Sequence, residues 1–203
     1  MGEPSSSSLF SLVSVLVFAD LPFQDSESVA LIRGTNAELG VNLGSVSPSD
    51  YMELVGRVSS FESMAALTEA QWVMTDGDAP ARIAGLQTTA GLTENWRLPP
   101  VLGRSFAEGE DRYGAPDVAM LSYGFWQRQF GGRMDVLGET LRLDGSEFSI
   151  IGVMSPKLEF ASFANAQAIT PLILNRSEPN RNERYLFVTG RLAPGASQTA
   201  ATE

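Results

Sequence analysis

The 203-residue sequence contains no histidine, no cysteine and a single lysine, Lys157. Without histidine, the chain has no Ser-His-Asp triad, no imidazole acid–base catalysis and no imidazole metal site. Without cysteine, it has no thiol nucleophile, no zinc–thiolate site and no disulfide. No glycine-rich loop precedes Lys157, and this excludes a P-loop for nucleotide phosphates. The sequence therefore lacks the side chains on which most familiar enzyme mechanisms depend.

Positive charge is also scarce, with 14 basic residues against 24 acidic ones and a net charge of −10. Nucleic-acid binding depends on clustered Lys and Arg, so this balance argues against a nucleic-acid partner. It also argues against docking on an anionic lipid surface by charge alone. The hydrophobic share of 43% is typical of a globular chain, and the length allows one domain or two small ones.

Two dense groups of carboxylates are the candidates for chemistry. The first is Asp76-Gly77-Asp78, and the second is Glu108-Gly109-Glu110-Asp111. Either group could bind calcium or supply an acid–base pair, but the first lacks the twelve-residue ligand pattern of an EF-hand. The second is typical of a solvated acidic loop. We expect both groups to be structural, and we predict no catalytic, cofactor-binding or metal-binding residue.

An apolar run at residues 9–18 leaves two alternatives open. It is about half the length that a helix needs to span a bilayer, and it lacks the positive region of a signal peptide. The run predicts either a buried strand or helix, or the outer end of a transmembrane helix. Asp20-Leu21-Pro22 ends the segment, as a proline often does.

Alternating and helical patterns together predict an α+β fold. Ser47 and Ser122 are the expected N-caps of two helices, and Gly131-Gly132 should end the second. Trp126 has helical spacing with Phe125 and Phe130, so we expect it in the core, facing Val118 and Met120. Asp144-Gly145 predicts a hairpin turn. Strands are expected near 28–33, 71–74, 82–87, 117–121, 140–143, 147–153, 168–172 and 185–192, with a short helix at 90–96.

A series of segments, in order along the chain, resembles motifs of the MacB-like periplasmic core domain. They are residues 46–51 (VSPSDY), 60–62 (SFE), 102–106 (LGRSF) with 110–111 (ED), 117–132 (DVAMLSYGFWQRQFGG), 137–145 (LGETLRLDG), 148–154 (FSIIGVM) and 190–197 (GRLAPGAS).

This resemblance implies an extracytoplasmic domain carried between the first and second of typically four membrane helices of an ABC transporter permease. Residues 1–26 would then hold a flexible start and the tail of the first membrane helix, including the run at 9–18. A porter-like subdomain would be built from both ends of the chain, from residues 27–97 and 166–203. Residues 98–165 would form a smaller inserted α+β subdomain.

The resemblance also implies a non-catalytic function, in which the domain couples cytoplasmic ATP hydrolysis mechanically to export or to other envelope events. The implied partners are a cytoplasmic ATPase subunit or domain, a second permease copy and a periplasmic adaptor, with no cofactor and no nucleic acid. The implied location is the bacterial inner membrane, with this domain in the periplasm. The alternative is a stand-alone envelope binding module, for a peptide or lipid, that shares the fold.

Overall fold

The structure is a computed structural model. It describes residues 13–17, 24–36, 41–42, 44–77, 79–159, 164–175, 177 and 183–196. The strands are β1 (Val13–Val17), β2 (Val29–Asn36), β3 (Val41–Asn42), β4 (Phe61–Met74), β5 (Ala81–Thr88), β6 (Leu102–Gly103), β7 (Val118–Leu121), β8 (Thr140–Leu143), β9 (Ser146–Val153), β10 (Ala168–Pro171) and β11 (Phe187–Leu192). The α-helices are α1 (Pro48–Arg57), α2 (Leu92–Asn95) and α3 (Tyr123–Phe130).

The described strands pair into one mixed sheet in the order β1-β2-β11-β4-β5-β10-β7-β9-β6. β3 pairs with β2, and β8 pairs with β9 and with the end of β4. The β5–β10 and β7–β9 pairs are parallel, and the other pairs are antiparallel. The predicted α+β class is therefore confirmed, while its division into subdomains stays a prediction.

The long strand β4 connects the two halves of the sheet. Its first half pairs with β11, and its second half, from Leu67 to Met74, pairs with β5. Ala65, Ala66 and Leu67 lie where β4 passes from one partner to the other, and all three are fully buried. The middle of β4 is therefore the centre of the fold.

Local signals placed the two longer helices correctly. The Ser47 side chain accepts a hydrogen bond from the backbone N–H of Asp50 at 3.1 Å, and Pro48 occupies the first helical turn of α1. The Ser122 side chain accepts from the N–H of Phe125, and Gly131 ends α3 with a φ of +62°. A glycine fits there because it adopts a left-handed conformation without a steric penalty.

The core consists of three groups of buried side chains. One lies under α2, a second packs against α1, and the third, the α3 cluster, surrounds Trp126. Trp126 is buried as predicted, but its predicted neighbours Val118 and Met120 belong to the group under α2. Successive residues of β7 point to opposite faces of the sheet, so α3 covers Ala119 and Leu121 instead. The α3 cluster comprises Met74, Ile83, Ala119, Leu121, Phe125, Trp126, Val136, Leu141, Leu143, Ile150, Val153 and Ala168.

The apolar run at 9–18 differs from the helix that the family resemblance implies. Its described part, β1, is extended and pairs antiparallel with β2, from Val13 opposite Gly34 to Val17 opposite Ala30. Three of these five residues are valines, which favour strands. Pairing with β2 also gives the backbone N–H and C=O groups of β1 hydrogen-bond partners that a helix would otherwise supply. No helix within the described ranges is long and apolar enough to cross a bilayer. The rest of the run and Leu21-Pro22 lie outside the described residues.

Candidate functional site

One end of the sheet gathers the segments that lead into β2 and out of β11. Val29 of β2 is paired with Arg191 of β11, so residues 24–28 and 192–196 lie at the same end. Helix α2 packs against both β4 and β11. We name this region the junction and define it by Asp25, Asn95, Arg97, Thr189 and Arg191.

Arg191 is the most unusual side chain of the junction, because it is a buried cation that is only 1% exposed. Its Nε donates to the backbone carbonyl of Asn95 at 2.7 Å, and its Nη1 donates to the carbonyl of Asp25 at 3.2 Å. In the described part of the chain, its Nη2 has no hydrogen-bond partner. Burial, and secondarily the nearby Arg97 guanidinium, lower the pKa of Arg191 from its ordinary value.

A chain of polar groups fixes α2 to the sheet beside Arg191. The indole Nε1 of Trp96 donates to the hydroxyl of Thr189 at 3.1 Å, and that hydroxyl donates to Oδ1 of Asn95 at 2.9 Å. The amide of Asn95 then donates to the backbone carbonyl of Ser63 on β4 at 2.9 Å. Because buried polar groups are costly unless they are paired, this network fixes the position of α2 against β4 and β11.

Arg97 and Asp25 join the junction to the surface. Their side chains form an ion pair, and Nη2 of Arg97 lies 3.8 Å from the carboxylate of Glu62. Both residues have left-handed backbones, with φ of +49° for Arg97 and +51° for Asp25. Such conformations are uncommon for residues other than glycine and concentrate at functional sites. Asp25 thus contacts both arginines, through its carboxylate and through its carbonyl.

A cavity of about 380 Å³ opens beside the junction. Its charged lining residues are Glu27, Glu62, Arg97 and Arg191, and Ser28 and residues 192–196 complete the wall. The volume is within the range of small-molecule sites. The junction therefore combines hydrogen bonds between three segments with a charged space beside them.

The acidic group at 108–111 holds a turn together. Glu110 accepts two hydrogen bonds from the Arg104 guanidinium, at 2.7 and 2.8 Å, and a third from the N–H of Ala107 at 2.8 Å. The hydrogen bonds from Arg104 lower the pKa of Glu110 from its ordinary value. Asp111 is buried and accepts from the N–H of Ala90 at 3.3 Å. These contacts favour the structural interpretation.

The contacts of the group at 76–78 favour the same interpretation in its described part. Asp76 accepts a hydrogen bond from the backbone N–H of Arg142, and its other oxygen lies 3.5 Å from that guanidinium. Asp78 lies outside the described residues. Within the described ranges, no group of three or more acidic side chains is placed to hold a metal ion. The expectation of no catalytic, cofactor-binding or metal-binding residue stays a prediction.

Of the five junction residues, Arg191 alone lies within one of the family-like segments, residues 190–197, and the sequence indicated no role for it. A signal was present, because Arg191 lies within a run of residues with strand pattern. Val188, Thr189, Gly190 and Arg191 are all buried. A charged residue in such a run predicts a buried charge. Its partners at Asp25 and Asn95 are distant in sequence, so no local pattern indicates them.

Comparison with known proteins adds a family to this geometry. The profile of the family of MacB-like periplasmic core domains matches residues 5–203. The chain also resembles solved structures, and because their identities are under 25%, they show the fold alone.

The first is the periplasmic region of MacB from Actinobacillus actinomycetemcomitans, with a TM-score of 0.63 and 17% identity, covering 85% of this chain and 78% of that one. A domain of a putative permease protein from Porphyromonas gingivalis has a TM-score of 0.61 and 19% identity, over 88% and 80% of the two chains. The extracellular domain of the ABC-type transporter YknZ from Gram-positive bacteria has a TM-score of 0.54 and 15% identity, over 73% of each chain.

A curated relative is the pyoverdine export ATP-binding/permease protein PvdT of Pseudomonas syringae pv. tomato. It is 30% identical over 80 residues, which is 39% of this chain. The match spans 12% of that relative's length.

Proposed function

This chain belongs to the family of MacB-like periplasmic core domains, and we propose from this that it is the outer domain of a permease driven by a cytoplasmic ATPase. In this proposal the domain lies in the periplasm of a bacterium and is anchored in the inner membrane. A second permease copy and a periplasmic adaptor are its further partners. Its function is to transmit movement between the membrane helices and the envelope.

The observation that carries the proposal is the position of the two connections to the sheet. Residues 24–28 lead into β2 at the same end at which residues 192–196 leave β11, since Val29 and Arg191 are paired. A domain inserted between two membrane helices needs its entry and exit on the side that faces the membrane. The paired ends of β2 and β11 meet this need.

The junction connects these two segments to each other and to the rest of the domain. Arg191 on β11 donates to the carbonyl of Asp25 in the entry segment and to that of Asn95 in α2. Movement of either membrane helix would therefore reach α2 and β4 through buried hydrogen bonds rather than through a flexible linker. This arrangement suits mechanical coupling.

For the apolar run at 9–18, we propose a membrane helix in the intact permease. In the structure β1 lies at the edge of the sheet and pairs with β2. If β1 left that edge, the hydrogen bonds of the β1–β2 pair would break. An α-helix in the bilayer would satisfy the same backbone groups of β1 internally.

The test uses the intact permease in lipid nanodiscs, with a spin label on this domain of each copy. The absence of cysteine in this chain allows site-specific labelling at Tyr113→Cys, where the native side chain is 97% exposed. Cysteines elsewhere in the permease are replaced first. We expect the distance between the two labels to change when ATP is bound, because the membrane helices move the domain.

A Gly-Ser insertion between Phe18 and Asp20 should abolish that change and leave ATP hydrolysis nearly intact, because a Gly-Ser segment behaves as a random coil. The same insertion after Gly145, in the turn between β8 and β9, is the matched control and should preserve the change. A label distance that does not respond to ATP in the unaltered permease would contradict coupling and favour a stand-alone binding module. A response that survives the first insertion would also contradict coupling.

We further propose that the domain is not an enzyme. Glu110, Asp111 and Asp76 are engaged with backbone or arginine groups, which leaves no acid–base pair in the described acidic groups. The isolated chain should show no turnover above background with esterase, peptidase, phosphatase and glycosidase substrates. Turnover abolished by Glu110→Gln would overturn this proposal.

A further inference from the structure

A further cavity, of about 470 Å³, opens at the first residues of β5, ahead of the point where β5 begins to pair with β10. We name it the β5 groove and define it by Gln71, Arg82, Arg128, Asn165 and Gln167. Its two arginines come from different elements, because Arg82 belongs to β5 and Arg128 to α3. The β5 groove therefore lies between a strand, a helix and the segment that leads into β10.

The two arginines of the β5 groove differ from the other exposed arginines of the described residues. Both are exposed, and within the described ranges neither Arg82 nor Arg128 forms an ion pair or a side-chain hydrogen bond. The other exposed arginines in the described part each have an acidic partner within 4.0 Å, and they are Arg57, Arg97, Arg104, Arg112, Arg133 and Arg142. The unpaired guanidinium groups are thus gathered in one cavity.

Two carboxylates lie near the β5 groove but do not pair with its arginines. Glu159 lies near Gly124, as Arg128 does, and accepts a hydrogen bond from the N–H of Gly124 at 2.5 Å. Glu69 lines a neighbouring cavity. Among the described residues, no acidic side chain lines the β5 groove itself. A positively charged groove in a chain of net charge −10 favours a negatively charged ligand.

The backbone of Arg82 is also available at this groove. Val73 is opposite Arg82 on β4, and its N–H and C=O are both bonded to Asp144, at 2.7 and 2.9 Å. Arg82 and Val73 are therefore a non-hydrogen-bonded pair of the antiparallel ladder. It follows that the N–H and C=O of Arg82 point away from β4.

The side of β5 that faces away from β4 is only partly covered. Ala84 uses this side for two bonds to Gln167, through its C=O at 2.8 Å and its N–H at 3.3 Å. β10 pairs with β5 only from Gly85 onwards. In the described part of the chain, the N–H and C=O of Arg82 have no partner on this side. Arg82 is thus an open sheet edge, of the kind that can pair with another strand.

Arg82 and Arg128 approach this open edge from opposite faces of the sheet. Ile83 belongs to the α3 cluster, so its neighbour Arg82 points to the face that α3 does not cover. Arg128 belongs to α3 itself. Successive side chains of a strand point to opposite faces, so an added strand would meet the two guanidinium groups with two consecutive side chains.

We propose that the β5 groove docks an extended acidic segment of a partner protein, which adds a strand to the edge of β5 and carries two consecutive acidic residues. The segment bonds through its backbone to the N–H and C=O of Arg82, as added strands do. One carboxylate binds Arg82 and the next binds Arg128, through charge-assisted hydrogen bonds. A small anion could use the guanidinium groups, but it has no N–H to donate to the C=O of Arg82.

The test titrates the 203-residue chain with a blocked seven-residue peptide and follows backbone amide shifts by NMR. The peptide has Asp-Glu at its centre, flanked by threonine and valine. We expect the shifts to centre on residues 71, 82–84, 128 and 164–167, and hydrogen exchange at the N–H of Arg82 to slow down. A peptide with Lys-Lys at its centre should not shift these residues. A peptide with one residue between Asp and Glu directs both carboxylates to one face, so its Kd should be about fivefold higher.

A peptide that is N-methylated at both acidic residues separates strand addition from charge attraction. It keeps the two carboxylates, and it loses the N–H donors that point to either edge of the peptide strand. Its Kd should be about tenfold higher than that of the parent peptide, and it should not slow exchange at Arg82. Inorganic phosphate is the probe for charge alone and should bind more weakly than the parent peptide.

Arg82→Gln and Arg128→Gln test the two guanidinium groups separately. Both native side chains are exposed, so the fold should remain intact, which circular dichroism checks. Each variant should raise the Kd of the parent peptide by about five- to tenfold. Arg57→Gln is the matched control, because it removes the same charge from a side chain of α1 that is 70% exposed and lies outside the groove. It should leave the Kd unchanged.

Several outcomes would overturn the proposal. They are no shifts at the β5 groove, equal Kd values for the parent and N-methylated peptides, or equal Kd values for the groove variants and Arg57→Gln. Inorganic phosphate that binds as tightly as the peptide would indicate a simple anion site. These measurements need neither ATP nor the membrane helices. Their failure would therefore leave the coupling experiment standing, and a failure of coupling would leave the measured peptide affinity unchanged.

Discussion

Helices α2 and α3 each place one tryptophan against the sheet, yet the two surroundings differ in kind. Trp126 of α3 lies in the apolar α3 cluster, and its one hydrogen bond from Nε1 goes to the carbonyl of Arg133 at 2.9 Å. Trp96, at the end of α2, donates to Thr189 within a network that includes Asn95 and lies beside the buried Arg191.

If the domain transmits movement as we propose, this difference separates the residues that stabilise the fold from those that serve coupling. Apolar packing around α3 is non-directional and fixes the fold through buried area. The network under α2 costs free energy wherever one of its groups is left unpaired, and it joins segments that enter and leave the sheet. We therefore expect substitutions near α3 to change stability alone, and those near α2 to change stability less and coupling more.

The largest effect should come from Trp126→Ala. Removing this side chain leaves a cavity in the α3 cluster, and such changes cost about 3–5 kcal/mol of the free energy of unfolding. Chemical denaturation followed by circular dichroism measures the loss. Trp126→Phe keeps most of the apolar volume and should cost clearly less. An unchanged unfolding midpoint for Trp126→Ala would show that α3 does not stabilise the fold through this residue.

Arg191→Met should come next, because it keeps most of the side-chain volume and removes the donors. The carbonyls of Asn95 and Asp25 would lose their bonds to Arg191, at a cost of about 1–3 kcal/mol. The same denaturation experiment measures this cost, and hydrogen exchange at residues 25–29 should speed up more than exchange within α3. If Arg191→Met has the stability and the exchange rates of the wild type, the hydrogen bonds of Arg191 do not hold the junction together.

Thr189→Val tests the network without touching any charge. It replaces the hydroxyl between Trp96 and Asn95 by a methyl group of similar shape, and we expect a loss of about 1–2 kcal/mol. Thr189→Ser keeps the hydroxyl and is the matched control. If valine and serine are equally stable at this position, the polar network adds nothing beyond packing, and the contrast between the two helices fails.

The smallest effect is expected at the Glu110 turn. Arg104 is half exposed, and pairs of this kind contribute less than about 1 kcal/mol, so Glu110→Gln should be only slightly destabilised at pH 7. The pKa of Glu110 is lowered in the folded state, so its contribution is full above the unfolded value, about 4.3, and is lost as pH falls through the lower folded-state pKa. The stability difference should therefore shrink as the pH is lowered below about 4.3. A difference that grows towards acid would contradict this sign.

The sequence by itself determined the local features, because their signals lie within a few residues of the structures that they specify. Ser47 and Ser122 cap their helices through residues three positions away. Asp144 and Gly145 adopt φ of +48° and +84° at the tip of the β8–β9 hairpin. The motifs also indicated the family from the sequence alone, because their order and spacing extend along most of the chain.

Tertiary structure alone decided the features that depend on distant partners. Arg191 meets a carbonyl 96 residues away in α2 and another 166 residues away at Asp25. Two further features depend on distant partners in the same way. They are the face of β7 that α3 covers and the pairing of β1 with β2. A local pattern specifies a cap or a turn because the interacting groups are close in sequence. A buried charge such as Arg191 contacts its partner carbonyls only after the sheet has brought distant segments of the chain together.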